Sequence, residues 1–134
     1  MLTNEAIQQL IKAAKSARKY AYAPYSNYRV GAALLTRSGQ IYTGVNIESA
    51  AYPTSICAER VAVFKAVSEG QRQFSAIAVV TDNGGSPCGS CRQVLAEFGL
   101  ELDVVIANKD GQITLRKTLA DLLPEAFTPR DLGK

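Results

Sequence analysis

The sequence predicts an α/β protein, a three-layer α/β/α sandwich around a mixed five-stranded sheet. Helix-like and strand-like segments alternate along the chain, and strand–helix–strand crossovers place strands parallel with helices on the sheet faces. The run Ala76–Val80 is apolar throughout, as is typical of a strand covered on both faces. With 134 residues, 47% of them hydrophobic, the chain is the size of one domain, residues 1–134.

The first predicted element is an amphipathic helix that begins at Thr3 or Asn4 and ends near Ala23. Pro24 cannot continue it, because the residue before a proline is disfavoured in helical conformation. Apolar residues recur at helical spacing on one face: Ile7, Leu10, Ile11, Ala14, Ala17 and Ala21.

A strand pair and a second helix follow. Tyr28–Thr36 and Ile41–Ile47 are predicted to form a hairpin through the turn at residues 37–40. After a loop, Ala58–Ser68 is predicted to be helical and to end at Gly70. Its apolar residues lie on nearly all sides, which predicts a buried helix.

The second half repeats the alternation. Ala76–Val80 is a predicted strand, and a loop leads from it to a helix at Gly89–Phe98. The strand Leu102–Ala107 follows, and a turn brings Gln112–Leu115 back antiparallel. A last short helix is predicted at Leu119–Leu123, so the sheet has five strands.

Composition excludes several function classes. Fifteen Lys and Arg against twelve Asp and Glu give a net charge of +3 without any block of like charge, which argues against a dedicated nucleic-acid or membrane surface. The first residues lack the pattern of a signal peptide, so we expect a cytoplasmic protein. The chain contains no histidine, which excludes Ser-His-Asp and Cys-His catalysis and imidazole metal sites.

All three cysteines lie where a predicted helix begins. Cys57 precedes the helix at Ala58, and Cys88 and Cys91 form a Cys-x-x-Cys pair at the start of the next helix. Helix N-termini favour thiolate over thiol, because their free N–H groups and dipole stabilise negative charge. Three thiolates brought together need a cation.

Three interpretations of these cysteines compete. They could be buried thiols without chemistry, or Cys88 and Cys91 could be a redox pair, which leaves Cys57 and Glu59 without a role. The third is zinc. A structural zinc site uses four Cys or His ligands, but this chain has only three such residues, so one position stays open as in catalytic sites. Glu59, two residues after Cys57, can reach the same cavity and move protons.

These motifs resemble the small homotetrameric zinc-dependent cytidine deaminases. Cys57-Ala58-Glu59 followed by Pro87-Cys88-x-x-Cys91 is the three-cysteine form of the pattern known from zinc deaminases of nucleosides and bases. The resemblance spans most of the chain through further segments: APYS at 23–26, VGAAL at 30–34, GVNIE at 44–48, AYP at 51–53, and LLP at 122–124 followed by Ala126 and Phe127.

The resemblance also distinguishes this chain from other classes of deaminase. Deaminases of deoxycytidylate, tRNA adenosine and polynucleotides use a histidine ligand, which this chain lacks. Blasticidin-type deaminases share the three cysteines but lack the Asn46-Ile47-Glu48 stretch; they remain the alternative, with a redox protein behind them. Ser90 departs from the alanine of many members, and the loop Asp82–Ser86 is short, which could alter the entrance to the site.

The resemblance implies hydrolytic deamination of cytidine and deoxycytidine to uridine and deoxyuridine, with release of ammonia, in pyrimidine salvage. It implies one zinc per subunit on Cys57, Cys88 and Cys91, with Glu59 carrying protons. The base carbonyl is expected at the Ala58 N–H and the exocyclic amine at the Ser86 carbonyl.

Asn46 and Glu48 are expected, from the resemblance, to bind the ribose 3′-hydroxyl. From the residues alone, a turn amide and an exposed acid at a strand end are the simpler interpretation. Tyr28, at the start of the first strand, can supply one wall for the planar base.

Four further side chains complete the predicted site. Zinc on three thiolates carries a formal charge of −1, and Arg60 and Arg92 are predicted to withdraw charge by hydrogen-bonding to sulfur. In a homotetramer, Phe127 is expected to reach a neighbour's pocket, with Tyr52 near another chain's site. Without the resemblance, Phe127 could equally fold back onto its own helix as an apolar cap.

Overall fold

One five-stranded sheet, in the order β2-β1-β3-β4-β5, forms the centre of the molecule in the computed structural model, which describes residues 2–134. β1 is antiparallel to β2 and β3, β3 is parallel to β4, and β4 is antiparallel to β5. The strands are β1 (Gly31–Thr36), β2 (Ile41–Val45), β3 (Phe74–Val80), β4 (Asp103–Ala107) and β5 (Ile113–Thr118).

Helices cover both faces of this sheet, which confirms the predicted three-layer α/β/α architecture and mixed five-stranded sheet. They are α1 (Asn4–Arg18), α2 (Ala58–Ser68), α3 (Gly89–Ala96) and α4 (Leu119–Leu122). The buried face of α1 packs on one side of the sheet, and α2, α3 and α4 pack on the other. Two short 3₁₀ helices lie at Tyr52–Thr54 and Pro129–Leu132. No helix within residues 2–134 is long and apolar enough to cross a membrane.

Both helical crossovers connect parallel strands. α3 joins the neighbours β3 and β4, and α2 joins β2 to β3, which are parallel across the intervening β1. The start of α2 and the start of α3 therefore lie at the same edge of the sheet, beyond the carboxyl end of β3. This is the edge at which open α/β sheets bind ligands.

The first helix ends at Arg18, earlier than the predicted end near Ala23. The chain leaves the helix because Tyr22 pairs with the segment after β2: its N–H donates to the Asn46 carbonyl at 3.0 Å, and its carbonyl accepts from the Glu48 N–H at 2.8 Å. A long-range backbone bridge therefore ends the helix before Pro24 can act.

The first strand begins at Gly31 rather than at the predicted Tyr28. Here the Asn46 side chain takes the place of a strand neighbour. Its Nδ2 donates to the Tyr28 carbonyl at 2.7 Å, and its Oδ1 accepts from the Val30 N–H at 2.9 Å. The backbone groups of this segment are satisfied without regular pairing.

The prediction that α2 is buried on all sides is wrong. Ala58, Ala62 and Ala66 are buried, but the Phe64 side chain is 47% exposed. α2 packs on the sheet with one face only, so its apolar residues extend onto the surface of the chain.

Smaller boundary differences have local causes. β3 begins at Phe74 and β5 runs to Thr118, while α3 ends at Ala96, before the predicted Phe98. In both strands the backbone pairing extends beyond the predicted run: Phe74, only 3% exposed, pairs with Thr36 of β1, and Thr118 pairs with Asp103 of β4.

Two glycines let helices approach the sheet closely. A Cβ at Gly31 would lie 2.0 Å from the Ala14 carbonyl oxygen of α1. A Cβ at Gly44 in β2 would lie 2.4 Å from the Ala58 carbonyl oxygen, in the first turn of α2. The close seating of α2 on β2 therefore requires glycine at position 44.

Candidate active site

A cavity of about 600 Å³ opens at the edge of the sheet where α2 and α3 begin. Its walls come from the segments before β1 and after β2, from the starts of α2 and α3, and from the loop after β3. The lining includes Tyr28, Asn46, Glu48, Cys57, Glu59 and Ser86. Residues far apart in the sequence thus meet in one pocket.

The three cysteines form a single cluster in this cavity. Cys57 and Cys88 are the N-cap residues of α2 and α3, and Cys91 lies in the first turn of α3. The Sγ atoms of Cys88 and Cys91 are 3.3 Å apart, those of Cys57 and Cys88 are 3.8 Å apart, and all three lie within 4.8 Å of one another. The Cys91 side chain is buried, while Cys88 is exposed.

The thiols strongly influence one another's ionisation. Hydrogen bonding from Cys91, helped by Arg60 and Cys88, lowers the pKa of the Cys57 thiol to about 5 against the opposing effect of burial. The pKa of Cys91 is raised, first because its proton is held by the Cys57 sulfur and second by burial. The Cys57 thiolate is therefore stabilised in the cluster, while deprotonation of Cys91 beside it is disfavoured.

A single zinc ion fits this donor set. Zn–S bonds of about 2.3 Å in a tetrahedral site separate sulfur atoms by about 3.8 Å, close to the spacing found here. Thiolate donors also prefer zinc to hard cations such as Mg²⁺. Because the cluster offers three sulfurs, a fourth position would face the cavity.

Glu59 follows Cys57 by two residues, and only 4% of the residue is exposed. Burial raises the pKa of its carboxyl group, and the negative charge of Cys57 adds to the effect. Glu59 lines the cavity beside the cysteines. A buried carboxyl group with a raised pKa holds a proton more readily than a solvated one, which suits a group that accepts and returns a proton.

The two arginines differ. The Arg60 Nη2 lies 3.5 Å from the Cys57 Sγ, and its Nε is buried without a hydrogen-bond partner within residues 2–134. Arg92 hydrogen-bonds to no sulfur within residues 2–134: its guanidinium donates to the Pro87 and Leu122 carbonyls and to the Ser86 hydroxyl. The prediction that Arg92 hydrogen-bonds to a thiolate sulfur is therefore wrong. Arg92 ties the start of α3 to the end of α4.

Asn46 and Glu48 line the cavity, but their polar atoms also hold the chain together. Asn46 makes the two contacts to the segment before β1 described above. Glu48 accepts from the Tyr25 N–H at 3.0 Å, from the Ser26 N–H at 3.1 Å and from the Ser26 hydroxyl. These hydrogen bonds lower the pKa of Glu48, so it is anionic at neutral pH.

The remaining residues predicted for this cavity also line it. Tyr28, Ala58 and Ser86 all do so, and the N–H of Ala58 lies in the first turn of α2, where amides have no partner within the helix. The Tyr28 hydroxyl donates to Asn83 at 2.8 Å, a contact that the sequence did not suggest.

Sequence reasoning missed the polar groups directly after β3. Thr81 is 2% exposed, and its hydroxyl accepts from the N–H groups of Gly84 and Gly85. Ser26, which holds Glu48, was missed as well. A signal for Thr81 and Asn83 existed, because polar residues that follow a buried strand lie at the ligand-binding edge of the sheet.

Tyr52 and Phe127 occupy different places. Tyr52 is 69% exposed at the rim of its own chain's cavity, and its ring meets that of Tyr25 at a centroid distance of 5.8 Å. Phe127 is 56% exposed and does not line this cavity. Its carbonyl accepts from the Gln93 side chain at 2.8 Å, which fixes the tail against α3.

Comparison with known proteins identifies the family. The sequence pattern of the cytidine and deoxycytidylate deaminase zinc-binding region matches residues 4–107. The chain belongs to this family. The family prediction made from the cysteine motifs is thereby confirmed, and the zinc-binding region of the family contains all three cysteines of the cluster.

Individual members of the cytidine deaminase family are similar over nearly their full length. The cytidine deaminase of Sporosarcina psychrophila is 53% identical over 95% of each chain. A probable cytidine deaminase of Dictyostelium discoideum is 44% identical over 98% of this chain and 90% of its own. The crystal structure of cytidine deaminase from Burkholderia pseudomallei superposes with a TM-score of 0.86 at 48% identity, covering 94% of this chain and 100% of that chain.

Proposed function

We propose that this protein catalyses the hydrolytic deamination of cytidine and deoxycytidine to uridine and deoxyuridine, with release of ammonia. One observation carries the proposal: a buried carboxyl group, Glu59, lies in the same nucleoside-sized cavity as a cluster of three cysteines that leaves one metal position open. Three cysteines alone would suit several proteins, but the neighbouring acid supplies proton transfer.

The reaction divides between the metal and the protein. Zinc held by Cys57, Cys88 and Cys91 would supply a Lewis acid that lowers the pKa of water. Glu59 accepts one proton from the attacking water and delivers it to N3 of the base. It then takes the second proton, from the hydroxyl group formed at C4, and delivers it to the amino group, which leaves as ammonia while the C4 carbonyl forms. A single carboxyl group serves each transfer in turn, so no second acid is required. Arg60, 3.5 Å from the Cys57 sulfur, offsets the negative charge of the thiolates.

Backbone groups at the helix starts orient the base. The Ala58 N–H is free in the first turn of α2 and is directed, in this proposal, to the base carbonyl. The Ser86 carbonyl accepts from the exocyclic amine, and the Tyr28 ring covers one face of the base. All three residues line the cavity, which supports these assignments.

Asn46 and Glu48 bind the ribose 3′-hydroxyl in this proposal. Glu48 is anionic at neutral pH, and hydrogen bonds from Ser26 and Tyr25 to its carboxylate lower its pKa further. A 3′-phosphate would bring a second negative charge against Glu48, so the site favours free nucleosides over nucleotides and polynucleotides. Free cytidine is expected to be deaminated well and cytosine within an oligonucleotide poorly.

The assembly is proposed to be a homotetramer of one-domain chains, residues 1–134, that acts in the cytoplasm in pyrimidine salvage. The exposed rings of Tyr52 and Phe127 support contacts with neighbouring chains. Phe127→Ala is expected to raise KM for cytidine while zinc content and folding stay intact, because the lost ring closes a neighbour's pocket. Full activity of a monomer, established by sedimentation, would contradict the shared site.

Zinc analysis combined with an absorbance assay of cytidine turnover tests the proposed function. We expect about one zinc per chain and loss of the cytidine absorbance band on conversion to uridine. Blasticidin S serves as the competing substrate and should be a poor one. An active metal-free preparation, or an inactive protein with a Cys88–Cys91 disulfide, would instead favour a metal-independent or redox function.

A further inference from the structure

The loop at residues 81–86, between β3 and the Cys88 turn, is tied to distant parts of the chain. Arg18 at the end of α1 forms an ion pair with Asp82 at 2.7 Å. On the other side, the Thr114 hydroxyl of β5 donates to the Gly84 carbonyl at 3.0 Å. This loop carries Ser86 into the cavity, so its position affects the space that a ligand meets.

A third tie to this loop comes from the cavity wall itself. The Tyr28 hydroxyl donates to the Asn83 Oδ1 at 2.8 Å, and the same Oδ1 accepts from the Gly85 N–H at 3.2 Å. The Thr81 hydroxyl lies 3.4 Å from it. Asn83 thus uses a single acceptor atom to connect Tyr28 to the loop, while its amide nitrogen takes no part.

Gly85 makes room for this contact. A Cβ at position 85 would lie 2.8 Å from the Tyr28 hydroxyl oxygen, closer than side chains tolerate. The Tyr28 hydroxyl can therefore approach the loop because residue 85 lacks a side chain. Two separate features, the Asn83 acceptor and the bare Gly85 backbone, converge on one hydroxyl group.

We propose that Tyr28 is a positioning residue as well as a wall of the pocket: its hydroxyl latches loop 81–86 through Asn83 and so sets the affinity of the site for its nucleoside. The inference rests on the proposed function. The latch orders the loop before the nucleoside binds. The conformational entropy lost on ordering the loop therefore does not weaken binding. Its loss should therefore raise KM and leave the chemical step, which depends on Glu59 and the cysteines, unchanged.

A double-mutant cycle tests whether the hydroxyl acts through Asn83 or directly on the nucleoside. Tyr28→Phe keeps the ring and removes the hydroxyl, and Asn83→Leu removes the acceptor. Each is expected to raise KM for cytidine by about three- to tenfold, the usual worth of one hydrogen bond, with kcat and zinc content at the wild-type level. The double variant should match either single one, because both remove the same contact.

Two variants give independent readings. Asn83→Asp keeps the acceptor oxygen and should return KM toward the wild-type value. Gly85→Ala keeps both latch residues but pushes the hydroxyl away, so it should raise KM as Tyr28→Phe does. Tyr42→Phe is the matched control, since within residues 2–134 the Tyr42 hydroxyl donates to Gln40 and Glu69, outside the cavity, and its loss should not change KM.

The possible outcomes distinguish a failure of the latch proposal from a failure of the proposed function. If Tyr28→Phe raises KM by the same factor in the Asn83→Leu background as in the wild type, the hydroxyl acts on the nucleoside directly and the latch is wrong. A fall in kcat accompanied by zinc loss would also overturn it, because the hydroxyl would then support the metal cluster. If the wild-type protein with bound zinc fails to turn over cytidine, the proposed function fails and the latch fails with it.

Discussion

The two ends of the cavity are built differently. At the cysteine end, the side-chain hydrogen bonds of Cys57 and Cys88 run to one another, to Cys91 and to Arg60, all at the starts of α2 and α3. At the opposite end, the side chains of Asn46 and Glu48 hydrogen-bond mainly to the protein backbone. Asn46 bonds to the segment before β1, and Glu48 accepts from the backbone N–H groups of Tyr25 and Ser26. In the proposed function, the first end carries the chemistry, while the second holds the fold and also binds the nucleoside.

Because of this difference, variants at the two ends of the cavity should differ in their effects on activity and stability. Substitutions at the cysteine end should abolish activity with little effect on the folding of the metal-free chain. Substitutions at the Asn46–Glu48 end should weaken binding and stability together. A variant that reversed these outcomes would contradict the comparison.

The largest effect is expected at the cysteines. Cys88→Ser should lose both zinc and activity, because two remaining thiols hold the ion poorly. Cys88 is exposed, so the free energy of unfolding of the metal-free protein should change by at most about 0.5 kcal/mol. Metal analysis, turnover of cytidine and urea unfolding in the presence of chelator measure the three quantities. Full activity of the variant would remove Cys88 from the metal site.

Glu59→Gln should have the next largest effect. The amide preserves the size of the side chain but cannot carry a proton, so kcat should fall by roughly 10²–10⁴ while zinc stays bound. Steady-state kinetics with metal analysis of the same preparation checks this. If kcat stayed near the wild-type value, another group would have to move the proton.

Asn46→Ala tests the opposite end of the cavity. The change leaves the Tyr28 carbonyl and the Val30 N–H without their partner, which should reduce the free energy of unfolding by about 1–3 kcal/mol. KM for cytidine should rise as well, since the start of β1 loses its support. Unchanged stability with a raised KM would show that Asn46 only binds ligand, and would break the comparison.

The smallest effect is expected for Glu48→Gln, as a change in how the free energy of unfolding depends on pH. Hydrogen bonds from Ser26 and Tyr25 lower its pKa below the usual 4.5 of a glutamate, so its stabilisation is present above pH 4.5 and is lost as pH falls through the folded-state pKa. The difference in unfolding free energy between the wild type and Glu48→Gln should therefore shrink toward zero in acid. A difference independent of pH would mean that the charge of Glu48 does not stabilise the fold.

The sequence revealed the cysteine end more completely than the other end, for a physical reason. Cys57, Glu59, Cys88 and Cys91 belong to short motifs at helix starts, where local geometry decides their placement. The strands and helices followed from hydrophobic periodicity in the same local way. Family resemblance supplied Asn46 and Glu48, but not their structural contacts.

What could not be predicted depends on contacts between distant residues. Arg92 reaches the Leu122 carbonyl, 30 residues away, rather than a sulfur, and nothing near Arg92 in the sequence indicates this partner. The early end of α1 likewise results from pairing of Tyr22 with Asn46 and Glu48. Loop 81–86 depends on α1, β5 and Tyr28 together, so its conformation follows only from the complete fold.

Gly44 limits which substitutions the protein can accept during evolution. The residue carries no functional group, yet a single added carbon would meet the Ala58 carbonyl oxygen and displace the helix turn that bears Cys57 and Glu59. A comprehensive survey of single substitutions should therefore find position 44 about as intolerant as the cysteines. The catalytic end of the cavity is thus vulnerable to a mutation on a strand that takes no part in its chemistry.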